Sequence, residues 1–190
     1  MARRQAADYE EKRDAIVEEA ARLFAAKGFS GASLADLAAA CNMSKSLFYH
    51  YYASKEAILY AVMTGHMDAL LTALDAEQRG DPRHDLGSFA RALLRLYAGA
   101  ADKQKVLLYE LGALPAPQRA EIVAKERRLI AHVETMIGRA RPELGRGVLR
   151  TQAMLFFGML NWTHSWLKPG GAVARDEVAE MAARMTLARV

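Results

Sequence analysis

SLADLAAACNMSKSLFYHYYASKE, residues 33–56, is the stretch whose reading decides the fold. Ser33 is a good helix N-cap, and Asp36 three residues on completes a capping-box pattern and suits the helix dipole. Leu34, Leu37, Ala38 and Cys41 then form one apolar side. Asn42 tolerates the left-handed conformation, so CNMS reads as a tight turn. Ser44 caps a second helix, about two turns long. The segment is helix, turn, helix.

The second of these helices has an unusual composition. Ser44 to Glu56 holds three tyrosines, one histidine and two lysines. A core would use leucine and valine there, and an inert surface would use glutamate and lysine. On a helix, Phe48 and Tyr52 share one face and can anchor the element to a core. Lys45, Ser46, Tyr49 and His50 then point outward, with Leu47 and Tyr51 on the flanks. An aromatic cluster on a short helix is also common at cores and interfaces, so the surrounding turn geometry carries weight in the choice.

That outward set suits DNA. Lys45 and Ser46 lie in the first turn, where a recognition helix reaches base edges in the major groove. Tyr49 and His50 can bond phosphate oxygens while their rings pack on sugar. Lys55 and free backbone N–H groups at the next helix start make a phosphate site, and Ser33 can act in the same way. Arg3 and Arg4 are candidates for an arm entering a minor groove.

Reading outward, residues 10–27 place Ile16, Ala20, Leu23, Phe24 and Lys27 at helical spacing, and Gly28 follows as a helix stop. Ser54 caps a long helix with Ile58, Leu59, Val62, Met63, Met67, Leu70, Leu71 and Leu74 along one broad stripe. RGDPRHDLG, residues 79–87, reads as a loop. Further helices are expected over 86–101, 103–113, 116–140, 146–167 and 174–188. No strand-like alternation persists. The expected fold is all-α: a three-helix helix-turn-helix module over 1–54 and a helical bundle over 55–190.

Composition bounds the function. The chain has 190 residues, 52% of them hydrophobic, enough for a sizeable core. Net charge is +4, which permits a polyanionic partner without demanding one. Residues 1–55 hold eight Lys or Arg against seven Asp or Glu, so the nucleic-acid case rests on arrangement rather than bulk charge. Cys41 is the single cysteine; it cannot form an internal disulfide, and a small buried role is expected of it. With no signal-peptide pattern and no apolar run of about 18 residues, a cytoplasmic protein without a membrane partner is expected. No GxSxG elbow, P-loop or Rossmann glycine pattern occurs, so no enzyme is expected. No metal-ligand spacing and no cofactor motif stands out, and His132 and His164 read as structural histidines.

AARLFAAKGFSGASLADLAAACNMSKSLFYHYYASKEAIL resembles the N-terminal signature of the TetR family of bacterial repressors. The likeness runs from about Ile16 to Leu59 and rests on Gly28-Phe29, Ser33, Ala38, Ser44, Phe48-Tyr49, Tyr52 and Ser54-Lys55-Glu56. Asn42 departs from the family's common glycine, and Cys41 from its common alanine. The resemblance implies a recognition helix over Ser44 to Tyr51. It implies base-edge positions at Lys45 and Ser46, and phosphate contacts at Ser33, Tyr49, Tyr51 and Lys55. It also implies a homodimer built largely by the last two helices, a palindromic double-stranded operator, and a small-molecule effector that releases it.

The C-terminal part adds two readings. In MLFFGMLNWTHSWL, residues 154, 157, 158, 162 and 165 are expected near one side, with Trp166 four after Trp162 and Gly158 permitting a close helix crossing. Aromatics and methionine favour an interface there. GMLNWTHSWLKPGG is also similar to a subset of the family that responds to acyl-CoA thioesters. Such an effector needs an apolar slot, for which Leu96, Tyr97, Leu108, Tyr109, Val133, Phe157 and Trp162 are candidates. It also needs cations, available in Arg91, Arg95, Lys103, Lys105, Arg127, Arg128 and Lys168. Two alternatives stand beside this reading: a regulator answering a lipophilic effector without CoA, and a helical protein-interaction module.

Overall fold

The computed structural model describes residues 2–76 and 80–188, with side chains from Asp8 to Ala76 and from Gly80 to Ala188. The side chains of Arg3 and Arg4, and with them the proposed arm, lie outside the described residues. Regular structure among the described residues is entirely helical: α1 (Ala2–Gly31), α2 (Leu34–Ala40), α3 (Lys45–Tyr51), α4 (Lys55–Ala76), α5 (Pro82–Gly99), α6 (Ala101–Tyr109), α7 (Ala116–Ala140), α8 (Arg146–Trp166) and α9 (Arg175–Leu187), with one short 3₁₀ turn at Leu111–Ala113. The all-α expectation holds. The chain forms two compact units, one of Met1–His66 with Asp102–Ile122 and one of Met67–Ala101 with Val123–Val190.

In the first unit, Ile16, Ala20, Ala21 and Phe24 of α1 are buried, as are Leu37 and Ala38 of α2, Phe48 of α3, and Ile58, Leu59, Val62 and Met63 of α4. Gly28 sits at φ 74° and turns the chain at the end of α1, a conformation that a Cβ would strain. Phe29 folds back with its ring centroid 5.5 Å from that of Phe24. The end of α1 and the loop into α2 are then tied to the start of α4. Lys55 Nζ donates to the carbonyls of Phe29 at 2.7 Å and Ala32 at 2.8 Å, and lies 4.2 Å from the centre of the Phe29 ring. Helix ends leave carbonyls without intrahelical partners, and a cation is the strongest donor for them.

The segment from Asp102 belongs to this unit through specific links. Lys103 of α6 pairs with Glu18 of α1 at 2.5 Å. The His66 ring and Gln104 side chain share a buried 2.7 Å hydrogen bond, and Tyr60 donates to Glu121.

In the second unit α5 packs on α8 and α9. The contact with α9 is built from small residues: Ala90, Ala179 and Ala183 are buried, and a Cβ on Gly87 would stand 3.3 Å from the Glu180 carboxylate. Arg91 pairs with Glu180 and Arg95 with Asp176 along the same seam. At the far end of α9, buried Arg141 donates to the carbonyls of Leu187 at 3.1 Å and Ala188 at 2.6 Å.

Three element boundaries differ from the sequence reading. Helix α1 begins at Ala2, well before residue 10. Helix α5 begins inside the expected loop, because Asp81 accepts the Arg83 amide at 3.1 Å and Pro82 occupies the first turn, a position proline favours. Helix α6 stops at Tyr109. Helix α4 is long and apolar enough to cross a membrane by length and composition alone; Ile58, Leu59, Val62, Met63, Met67, Leu70 and Leu74 along it are nevertheless buried inside the protein.

Two outcomes follow from this packing. Lys55→Met removes two charge-assisted hydrogen bonds and is expected to lower the unfolding free energy by about 2 kcal/mol, read as a lower urea midpoint. Burial holds the His66 pKa below 6.5, opposed by the Gln104 hydrogen bond and reinforced by the nearby Lys103 charge. A lowered folded pKa means that the unfolded chain takes up protons more readily. The stability contributed by neutral His66 is therefore present above about pH 6.5 and is lost as pH falls below that value. His66→Gln is expected to flatten the urea midpoint between pH 7.5 and 5 relative to the parent chain.

Candidate nucleic-acid interface

The helix-turn-helix assembles from local chemistry. Ser33 Oγ accepts the Asp36 amide at 3.0 Å, and the Asp36 carboxylate accepts the Ser33 amide at 2.9 Å and its hydroxyl at 2.8 Å. The backbone amide of Ser33, then its hydroxyl, and then Lys27 hold the Asp36 pKa below the ordinary carboxylate value. Asn42 adopts φ 52° in the turn, the left-handed conformation that asparagine tolerates. Ser44 Oγ caps α3 by accepting the Leu47 amide at 3.1 Å. Ser54 Oγ does the same for α4 with the Ala57 amide at 3.1 Å.

Helix α3 divides cleanly. Phe48 is 1% exposed and Tyr52 6%, so both anchor the helix inward. Lys45, Ser46, Tyr49 and His50 are all exposed, Tyr49 at 46%. Leu47 is exposed and Tyr51 half-buried on the flanks. A cationic, hydroxyl-bearing and imidazole surface of this shape can offer donors to base edges and phosphates. Two other candidates have internal partners. The Ser33 hydroxyl is engaged with Asp36, and two of the three Lys55 N–H donors go to backbone carbonyls. Cys41 closes α2 and is half-buried; burial pushes its thiol pKa up, with Glu19 adding to the shift.

The C-terminal candidates scatter. Leu96, Tyr97, Val133, Phe157 and Trp162 belong to the second unit, and Leu108 and Tyr109 to the first. Tyr97, Val133 and Phe157 are buried, Leu96 and Leu108 half-buried, and Tyr109 exposed. The Tyr97 hydroxyl donates to Asn161 Oδ1 at 2.9 Å. Tyr109 lines a cleft of 240 Å³ with Phe24, Gly28, Lys105 and Glu110. Among the candidate cations, Arg91, Arg95 and Lys103 are held in the ion pairs described above. His132 Nδ1 donates to the Arg128 carbonyl at 2.9 Å, and His164 Nδ1 to the Asn161 carbonyl at 2.7 Å. Among the described residues no His, Cys, Asp and Glu cluster is arranged to hold a metal.

One feature of α8 departs from the expected grouping. Phe157 does not share a side with Met154, Gly158 and Trp162. It turns inward with Ala153, Phe156 and Leu160, meeting Phe156 edge-on at 5.5 Å. The 3.6-residue repeat places 153, 156, 157 and 160 on one stripe and 154, 155, 158, 162 and 166 on the other. The second stripe joins Val178, Met181 and Met185 of α9 around an open apolar groove of about 650 Å³. Leu155 is 61% exposed, Trp162 62% and Met185 64%. The Val173 and α9 contributions were not read from the sequence, although methionines four apart at 181 and 185 carried the signal.

Comparison with known proteins agrees with this geometry. Residues 16–62 match the family described as bacterial regulatory proteins, tetR family, and residues 79–190 match the tetracyclin repressor-like C-terminal domain. An uncharacterised HTH-type transcriptional regulator of Bacillus subtilis, YuxN, is 32% identical over 134 residues, covering 67% of this chain and 45% of that protein; the chain thus spans less than half the length of that relative. The crystal structure of a TetR-family transcriptional regulator from Bordetella parapertussis is 40% identical, with a TM-score of 0.87 over 92% of this chain and 93% of that one. AibR, solved in complex with isovaleryl coenzyme A and operator DNA, is 30% identical, with a TM-score of 0.80 over 92% of this chain and 97% of that one. These families and relatives are transcriptional regulators and not enzymes. With both family domains matched in chain order and the fold shared over nearly its whole length, the chain belongs to the TetR family of bacterial transcriptional regulators.

Proposed function

We propose that this chain is a ligand-responsive repressor that binds a palindromic operator as a homodimer in the bacterial cytoplasm and is released by a small-molecule effector, an acyl-CoA thioester. The observation that carries the DNA part is the division of α3, with Lys45, Ser46, Tyr49 and His50 exposed over buried Phe48 and Tyr52. Lys45 and Ser46 read base edges, while Ser44, Tyr49, His50 and Tyr51 grip the backbone. Ser33 and Lys55 flank the helix; their internal hydrogen bonds make them chiefly shapers of the surface, with one Lys55 donor left for a phosphate.

The dimer part draws support from the groove of α8 and α9. Exposed apolar patches of this kind mark interaction surfaces, and a two-fold pairing of α8 and α9 would cover Leu155, Trp162 and Met185 at once. The effector part draws support from the likeness to AibR, which was solved with isovaleryl coenzyme A, and from the interior of the second unit. There the Tyr97 hydroxyl meets Asn161, and Val133 and Phe157 are buried apolar side chains of the same unit. Apolar lining with a few polar groups is the pattern of small-molecule sites.

The decisive experiment is an anisotropy titration of the protein onto DNA upstream of its own gene, extended by a genome-wide binding selection if that DNA is ignored. Salt-sensitive, sequence-specific binding is expected, released by an acyl-CoA ester and not by its free acid. Release by a free lipophile alone would move the assignment to a non-CoA effector, and an empty selection would favour a protein-interaction module. Lys45→Ala is expected to relax base preference at one position of each half-site, at a cost of about 1–3 kcal/mol in discrimination. For the dimer, Trp162→Glu is expected to convert the sedimentation profile from two chains to one and to weaken operator binding with it.

A further inference from the structure

We infer that Tyr9 is a positioning residue for DNA recognition: from α1 it fixes the last turn of α3, stacking on Tyr51 and donating to the His50 carbonyl. The inference rests on reading α3 as the recognition helix. Helix α3 has seven residues, far too few to hold its shape alone in water, so its ends must be fixed by neighbours. Ser44 fixes the start, and Phe48 and Tyr52 fix the underside.

The far end is different. The last carbonyls of a helix lack intrahelical partners, and Tyr51 is a half-buried ring on the flank. Three contacts from α1 converge there. The Tyr9 and Tyr51 rings stack with centroids 4.9 Å apart and planes 24° from parallel. The Tyr9 hydroxyl reaches the His50 carbonyl at 3.4 Å, a long hydrogen bond. Arg13, one turn along the same face of α1, places its guanidinium 5.2 Å from the centre of the Tyr52 ring. The last two residues of α3 and Tyr52, which follows them as the C-cap, are thus met by two residues of α1.

Tyr9 contributes little to the core. It is 40% exposed, and the fully buried stripe of α1 starts only at Ile16. The N-terminal turns of α1 extend past what that core requires, and Tyr9 on them meets the end of α3. A ring held in one rotamer loses less freedom when its hydroxyl binds a phosphate. Tyr9 therefore acts on affinity through Tyr51, and leaves base choice to Lys45 and Ser46.

The test is a double-mutant cycle read by operator anisotropy, with Tyr9→Leu, Tyr51→Leu and the double variant, and with Tyr9→Phe and Lys45→Ala alongside. Tyr9→Leu is expected to weaken binding by about three- to tenfold, the range of an aromatic pair, with base preference unchanged. In the Tyr51→Leu background the same change is expected to have no further effect, and Tyr9→Phe, which keeps the stack, is expected to retain most of the affinity. An equal loss in both backgrounds, or no loss at all, would overturn the role of Tyr9. A general loss of fold would appear as a lowered thermal midpoint and an equal loss in both backgrounds, and so also counts against it. If Lys45→Ala and Tyr51→Leu both leave operator binding unchanged, the recognition-helix reading itself falls, and the inference with it.

Discussion

The ammonium of Lys55 is the joint on which the helix-turn-helix unit depends. It gathers the carbonyls of Phe29 and Ala32 and sits against the Phe29 ring. Gly28 kinks the chain near the end of α1, and without Lys55 the carbonyls of Phe29 and Ala32 would need another donor at a half-buried place. By taking both, Lys55 sets where α4 starts relative to where α1 ends and α2 begins. The position of α2 then sets the turn, and the turn sets the angle at which α3 meets solvent. A residue expected to touch phosphate thus has a prior task, which its internal hydrogen bonds reveal and its sequence position conceals.

Local chemistry was legible in the sequence wherever a residue acts on its near neighbours. The caps at Ser33, Ser44 and Ser54, the left-handed turn at Asn42 and the inward pair Phe48 and Tyr52 are all consequences of spacing within four residues. The early start of α5 was legible too: Asp81-Pro82 is a helix-start signal, but the adjacent Gly80 and the polar run gave it the look of a loop. The N-terminal turns of α1 were not, because their side of the helix carries no apolar stripe before Ile16.

What escaped the sequence depends on partners distant along the chain. Neither the Lys55 carbonyl contacts nor the link from Lys103 to Glu18 has a local signature. Phe157 shows the limit in another way. Within MLFFGML every residue is apolar, so composition does not say which stripe faces the protein; the burial of Ala153, Phe156, Phe157 and Leu160 is visible only in the structure. The ligand candidates suffered from the same uniformity, since buried leucines and aromatics of a bundle look alike whether or not they border a cavity.

Cys41 gives the protein a built-in reporter. It is the only thiol in the chain, it sits where α2 hands over to the turn before α3, and burial raises its pKa. A thiol in that state carries little thiolate at neutral pH, and thiolate is the species that alkylating reagents attack. Labelling should therefore be slow in the closed fold and fast in any state in which the turn opens. The rate at which a maleimide finds Cys41 becomes a clock for local unfolding of the reading head, available without introducing a cysteine or removing one.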